Sequence, residues 1–166
     1  MNVLPVVLSA DNNYAQHMAV TIASLLYNLS GQCSVHFYIL DGGLSEGNKQ
    51  KIENLKVIKH FTIEYIKINI DELGVYECNL PHLSVASYFR LKLPSILPNL
   101  DKVLYLDSDI VVNGDISPIF SINLNGFLLA AVQDPYTSES YKQSLDITGL
   151  YFNAGVLLFN LAEMRL

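Results

Sequence analysis

The stretch from Val3 to Ser9 is a continuous apolar run broken only by Pro5. A strand with one face in water alternates apolar and polar residues; a run without that alternation is covered on both faces. The chain is therefore expected to build a central sheet with helices on either side. Asp11-Asn12-Asn13 offers capping side chains, and Met18, Ile22, Leu25, Leu26 and Leu29 recur at helical spacing. These predict a helix from about Tyr14 to Leu29, stopped at Gly31. Val35 to Leu40 reads as a second strand, Ser45 caps a short helix through Ile52 and Leu55, and Phe61, Ile63, Tyr65 and Ile66 mark a third strand. Ile70 to Pro81 is irregular, with Gly74 and Pro81 as breakers. Ser84 caps a helix running to about Lys92 and ended by Pro94. Val103 to Leu106 is a fourth strand, Ile110 to Val112 a short one, and Leu128 to Val132 a fifth. Tyr141 to Leu145 reads as helical, Gly155 to Asn160 as a sixth strand, and Leu161 as the start of a helix barely begun. Strands separated by helices imply an α/β fold with a mostly parallel sheet.

Composition narrows the class. The chain has 166 residues, 51% of them apolar, which suits one domain with a substantial core. A formal net charge of −6 argues against nucleic acid or an anionic membrane as partner. Cys33 and Cys78 are the only cysteines; they form no metal-ligand spacing and a poor disulfide framework. The N-terminus lacks the basic start of a signal peptide, and no apolar run approaches the ~20 residues of a membrane span. The expectation is a cytoplasmic protein with no transmembrane segment.

Asp107 and Asp109 directly follow the apolar run Val103–Leu106, two positions apart. In an extended segment alternate side chains share one side, so both carboxylates face one point at the mouth of a buried strand. Two such anions repel unless a cation lies between them, and carboxylate oxygens suit hard divalent ions. Ligands of doubly wound sheets bind beyond the carboxyl ends of strands. Three polar clusters fall there: Asp11 to Asn13, Asp107 to Asp109, and Asp134. Each has a plainer reading. Asp11 to Tyr14 is a helix cap, Arg90 a snorkelling surface cation, Asp134-Pro135 a turn, and Asn153-Ala154-Gly155 a turn whose glycine relaxes the backbone. His17 and His36 lie inside expected elements and read as structural, while His82 in a loop is a ligand-contact candidate.

Four blocks occur in order: Ser9-Ala-Asp-Asn-Asn-Tyr14, Ser87-Tyr-Phe-Arg-Leu-Lys-Leu-Pro94, Lys102-Val-Leu-Tyr-Leu-Asp-Ser-Asp109 and Tyr151-Phe-Asn-Ala-Gly-Val-Leu-Leu-Phe-Asn160. Together they resemble the family 8 retaining glycosyltransferases, which include bacterial lipopolysaccharide galactosyl- and glucosyltransferases and glycogenin. The resemblance covers essentially the whole chain. It implies a GT-A (Rossmann-like) fold, a UDP-glucose or UDP-galactose donor, and Mn²⁺ or Mg²⁺ held by Asp107 and Asp109. By position, Ala10, Asp11, Asn13 and Tyr14 match the uridine-binding segment. Asp107, Ser108 and Asp109 match the block at the metal and donor. Arg90, Asn153 and Ala154 match donor-sugar contacts, and Asp134 and His82 positions facing the acceptor. Arg90, Asp134 and Asn153 form the implied catalytic set. The acceptor would be a saccharide, such as lipopolysaccharide core or another glycan, and the protein would be cytoplasmic, peripheral to the inner membrane. The family carries a further Asp-Gln pair, a metal-ligating His and a diphosphate-binding Lys beyond this point. Residues 1–166 are thus expected to be the N-terminal, nucleotide-sugar-binding part of a glycosyltransferase domain. Two rival readings are a non-catalytic nucleotide-binding remnant and a phosphatase of the haloacid-dehalogenase type, which also places Asp-X-Asp after an apolar strand.

Overall fold

The computed structural model describes residues 2–68 and 85–166. The expected Gly74 and Pro81 breakers, the Ser84 cap, Cys78 and His82 lie outside the described residues. Six strands form one sheet: β1 (Asn2–Ala10), β2 (Cys33–Asp41), β3 (Thr62–Lys67), β4 (Lys102–Leu106), β5 (Leu129–Gln133) and β6 (Phe152–Asn160), in the order β3-β2-β1-β4-β6-β5. β1 pairs in parallel with β2 and β4, and β2 with β3. β6 runs the other way, antiparallel to both β4 and β5. The sheet is therefore mixed, and its parallel part is the β3-β2-β1-β4 side.

Helix α1 (Ala15–Asn28) follows β1, and α2 (Glu46–Glu53) follows β2. Ser45 caps α2 as expected, its hydroxyl accepting the N–H of Asn48. The Pro94 stop does not hold. A 3₁₀ segment spans Val85–Lys92, and α3 (Leu93–Ile96) then carries Pro94 in its first turn, where a missing N–H costs nothing. Helices α4 (Glu139–Ser144) and α5 (Leu161–Met164) are short.

Strand alternation sends neighbouring side chains into two separate cores. Leu4, Val6, Leu8 and Ala10 of β1 and Leu104 and Leu106 of β4 pack with Met18, Ile22, Leu25 and Leu26 of α1. Val7, Val103 and Tyr105 point to the opposite face, against Phe89 and Leu93 of the 3₁₀–α3 segment and Leu157 and Phe159 of β6. The unbroken apolar runs of β1 and β4 are the sequence record of this two-sided cover. Pro5 is tolerated because β4 pairs with β1 only at Val6 and Val7, beyond the proline.

Ile110 to Val112 is not a strand. Its backbone is bonded to side chains of α1 rather than to a neighbouring strand. The Val112 N–H donates to Ser24 Oγ at 3.0 Å, and Asn28 Nδ2 donates to the Val112 carbonyl at 2.9 Å. Polar residues on a helix have taken the role a strand partner would fill.

Candidate active site

Parallel and antiparallel directions together fix where the chemistry can sit. The C-terminal ends of β1, β2 and β4 share one edge of the sheet. β6 is reversed, so its first residues reach that same edge; β5 is reversed again, so its last residues do too. Ala10 and Asp11, Asp41, Asp107 to Asp109, Asp134, and Asn153 to Gly155 are therefore gathered along one rim.

The centre of this rim is Asp107. It falls two positions after Tyr105 and so lies on the 3₁₀ face of the sheet, where Arg90 waits. Arg90 Nη2 meets Asp107 Oδ1 at 3.2 Å, and Arg90 Nη1 donates to the Ala154 carbonyl. The guanidinium carbon also stands 4.4 Å from the centre of the Tyr105 ring. The Tyr105 hydroxyl donates to the same Asp107 Oδ1 at 3.0 Å. Burial first, and the negative charges of Asp107 and Asp109, hold the Tyr105 phenol well above its usual range despite the opposing Arg90 charge. It is a permanent donor to Asp107.

Gly155 completes the centre. Its carbonyl accepts the Asp107 N–H at 2.8 Å, and its own N–H donates to Asn153 Oδ1 at 2.8 Å. A Cβ at this position would stand 2.9 Å from Asp107 Oδ2 and 3.0 Å from Asn153 Oδ1. Only glycine lets β6 approach so closely. The glycine is needed for proximity, a stronger requirement than the relaxed turn its sequence position suggests. Arg90, Asp107, Asn153 and Ala154, scattered over more than sixty positions, are thereby brought together.

The acidic pair differs from the extended-strand expectation. β4 ends at Leu106, and Ser108 and Asp109 form a turn. Asp107 is half-buried and Asp109 exposed. Between them Ser108 is buried, its hydroxyl donating to the Ser9 carbonyl at 2.7 Å. The Ser108 side chain thus ties the turn to β1. The reason the segment is not extended is the anchoring of residues 108 to 112 against α1.

At the end of β1, Asp11 Oδ1 accepts the N–H groups of Asn13 at 2.9 Å and Tyr14 at 3.0 Å. These bonds close a turn just ahead of α1, whose N-cap residue Tyr14 has no side-chain cap, so Asp11 orders the approach to the helix instead of capping it as expected. Asn12 Oδ1 is bound to the Ser45 N–H and Asn48 Nδ2, tying this loop to α2. Tyr14 is half-exposed beside His17, with ring centres 5.4 Å apart. His17 is exposed, against the structural role expected of it. His36 meets that expectation, its Nδ1 2.7 Å from Thr62 Oγ1. Asp134 has its Oδ1 on the Tyr136 N–H at 2.9 Å, and its own N–H on the Tyr151 carbonyl, which places it beside the start of β6.

Sequence reasoning missed Asp41. This carboxylate is buried at the end of β2, where it accepts the N–H groups of Gly43 and Leu44 and pairs with Lys49 at 2.9 Å. Burial alone would raise its pKa; the Lys49 ammonium and the two N–H donors outweigh that and hold it below the usual carboxylate range. A group whose folded pKa is lowered stabilises the fold fully above its ordinary pKa and loses that stabilisation as pH falls through the lowered value. Urea midpoints followed from about pH 7 to about pH 3 are expected to fall in this window, and Asp41→Asn to flatten the fall. The alternation of β2, with Ile39 and Asp41 at equivalent positions, was the available signal.

Arg90→Lys is expected to keep the fold and lose the fork. A single ammonium cannot reproduce the planar grip on both the Ala154 carbonyl and Asp107. If Asp107 ligates a metal, as the family resemblance implies, loss of such a supporting partner is worth about 10–100-fold, the fall in kcat/KM expected in a donor-hydrolysis or transfer assay.

Residues 5–166 match the model of the family described as "Glycosyl transferase family 8". The chain belongs to that family. It is 35% identical over 165 residues to a lipopolysaccharide 1,2-glucosyltransferase of Escherichia coli (strain K12), covering 96% of this chain and 48% of that protein. It is 31% identical over 164 residues to a putative glycosyltransferase of Haemophilus influenzae, covering 96% of this chain and 49% of that protein. The crystal structure of the galactosyltransferase LgtC in complex with donor and acceptor sugar analogs superposes with a TM-score of 0.87 at 34% identity, covering 98% of this chain and 59% of that one. The GT-A fold expected from the sequence is confirmed. The chain spans about half the length of the curated relatives it matches. The family match removes the phosphatase reading.

Proposed function

We propose that residues 1–166 are the nucleotide-sugar-binding part of a glycosyltransferase that moves a hexose from UDP-glucose or UDP-galactose to a saccharide acceptor, with retention at the anomeric carbon. The observation that carries this reading is the convergence of Arg90, Asp107 and the Asn153–Gly155 backbone at one rim of a family 8 chain. The printed names of the relatives support sugar donors and acceptors, with lipopolysaccharide core or another glycan as the acceptor class. A cytoplasmic location, peripheral to the inner membrane, belongs to the same reading. Among the described residues no helix is long and apolar enough to cross a membrane.

The donor set fits a hard divalent cation, Mn²⁺ or Mg²⁺. Asp107 and Asp109 offer only carboxylate oxygens, and Asp107 Oδ2 lies beside the side-chain gap left by Gly155. Among the described residues no cluster of three His, Cys, Asp or Glu forms, and on this reading Asp107 and Asp109 are the carboxylates that would hold the ion. When bound, the ion would neutralise charge developing on the departing diphosphate. The chain's own residues do the rest. Arg90 and Tyr105 hold Asp107 in one orientation, and Arg90 brings positive charge to the rim. Asn153 and Ala154 flank the space where the sugar would lie. Ala10, Asp11, Asn13 and Tyr14 present backbone and side-chain groups for the uridine, and Asp134 stands on the acceptor side.

The test is incubation of the protein with Mn²⁺ and UDP-glucose or UDP-galactose, with and without saccharide acceptors. Release of UDP, dependent on the metal, is expected. Calorimetric binding of UDP without any turnover would favour the non-catalytic remnant, and neither binding nor turnover would overturn both.

A further inference from the structure

The turn that carries Asp109 is held from behind by α1. Thr21 is fully buried, and its single hydroxyl hydrogen faces three backbone carbonyls, those of Ile110 at 2.7 Å, Ser108 at 2.9 Å and, more distantly, His17 of the same helix at 3.4 Å. Ser24, one turn further on, accepts the Val112 N–H and donates to the Thr21 carbonyl at 2.9 Å. Asn28 donates to the Val112 carbonyl and to the Ser24 carbonyl. Positions 21, 24 and 28 lie along one edge of the helix. Its other buried residues, Ala15, Met18, Ile22, Leu25 and Leu26, are apolar core. A polar stripe that is buried at Thr21 and half-buried at Ser24 and Asn28 asks for a reason, because unpaired polar atoms there would be costly. The reason visible here is the backbone of residues 108–112. No strand pairs with it, and the acidic pair depends on it for direction.

We infer that Thr21, supported by Ser24 and Asn28, is a positioning residue for the Asp107–Asp109 turn, fixing where the exposed Asp109 carboxylate points. The role rests on the proposed function, since it matters to activity only if that turn holds a cation and a nucleotide sugar. Asp107 is fixed on the other side by Arg90, Tyr105 and Gly155. Asp109 is exposed, so the course of its backbone sets the position of its carboxylate. Thr21 therefore does for Asp109 what Tyr105 does for Asp107, acting through main chain instead of through the carboxylate.

Thr21→Val keeps the shape of the side chain and removes the hydroxyl; Thr21→Ser restores the hydroxyl. Ser24→Ala is a second variant, removing the acceptor of the Val112 N–H together with the bond to the Thr21 carbonyl. Ile22→Val, on the same helix but in the apolar core, controls for a simple loss of stability. Mn²⁺ affinity is read by electron paramagnetic resonance, Mn²⁺–UDP affinity by calorimetry, and amide hydrogen exchange across residues 108–112. Thr21→Val is expected to speed exchange in that segment and to weaken Mn²⁺–UDP binding about tenfold or more. Thr21→Ser is expected to recover both, Ser24→Ala to speed exchange at Val112, and Ile22→Val to leave affinity at the parent value. Parent-like exchange and affinity in Thr21→Val would overturn the inference, as would an equal loss of affinity in Ile22→Val. If the parent protein binds neither Mn²⁺ nor UDP, the proposed function fails. Exchange then still decides the point: acceleration confined to 108–112 upholds the holding role, and uniform or absent change overturns it.

Discussion

On the proposed function, in which Asp107 holds the cation, Asp107→Asn is expected to lower transfer about a thousandfold while leaving the fold in place. A cation at the diphosphate contributes several kcal/mol of charge stabilisation, and each ~1.4 kcal/mol is a factor of ten in rate. The amide keeps one oxygen for Tyr105 and Arg90, so the local hydrogen bonds survive in form. What disappears is the negative charge and the free carboxylate oxygen beside Gly155. The ion pair with Arg90 is partly exposed, with side-chain exposures of 12% and 38%. Such a pair contributes about 1 kcal/mol or less once solvent screening is counted. The measurement is UDP release at saturating Mn²⁺, alongside a thermal melt. Activity within tenfold of the parent would remove Asp107 from the metal site. A melt as depressed as that of a core-truncation variant would show that its role is structural.

The second large effect is expected from a single added methyl group. Gly155→Ala would place a carbon 2.9 Å from Asp107 Oδ2 and 3.0 Å from Asn153 Oδ1. Both side chains are short and already committed, Asp107 to Arg90 and Tyr105, Asn153 to the Gly155 N–H. Neither can swing away without losing those bonds, so the strand or the carboxylate must move. Overpacking of this kind costs about 1–3 kcal/mol. In a chain of this size each kcal/mol appears as roughly 2–4 °C in Tm. A displacement of about 1 Å at a reacting centre costs about a hundredfold in rate, and kcat is expected to fall at least that far. Parent-like kcat in Gly155→Ala would mean that the close approach of β6 to Asp107 has no part in catalysis.

Much of this architecture was legible in the chain because its strands are covered on both faces. Val3–Ser9 and Val103–Leu106 read as buried strands from their length and lack of alternation, and the stripe on α1 named its inward face. The reversal of β6 was not legible. A strand buried on both faces has the same apolar composition whichever way it runs, and direction is decided by pairing across the sheet. Ile110–Val112 misled for a related reason. Its residues have strand propensity, but local propensity carries no information about Thr21, Ser24 and Asn28, more than eighty positions earlier, which satisfy its backbone.

At the site the division is similar. The acidic pair, Arg90 and the Asn153-Ala154-Gly155 block were each visible as residues with a plainer alternative, and the family resemblance chose among the readings. Asp41 escaped notice because a lone carboxylate closing an apolar strand looks like a solvated loop residue. Burial, Lys49 and two backbone N–H groups make it part of the rim.

By itself the order of apolar runs, caps and charges determined a sheet with helices on both sides and an acidic pair just beyond its fourth strand. Those are properties of neighbouring residues, written at periods of two and of about 3.6. Only the tertiary structure decided that β6 returns antiparallel to lay Gly155 against Asp107, and that α1 supplies the hydrogen bonds of the turn. Contacts between residues distant in the chain depend on which elements meet and at what distance, and no local pattern encodes that.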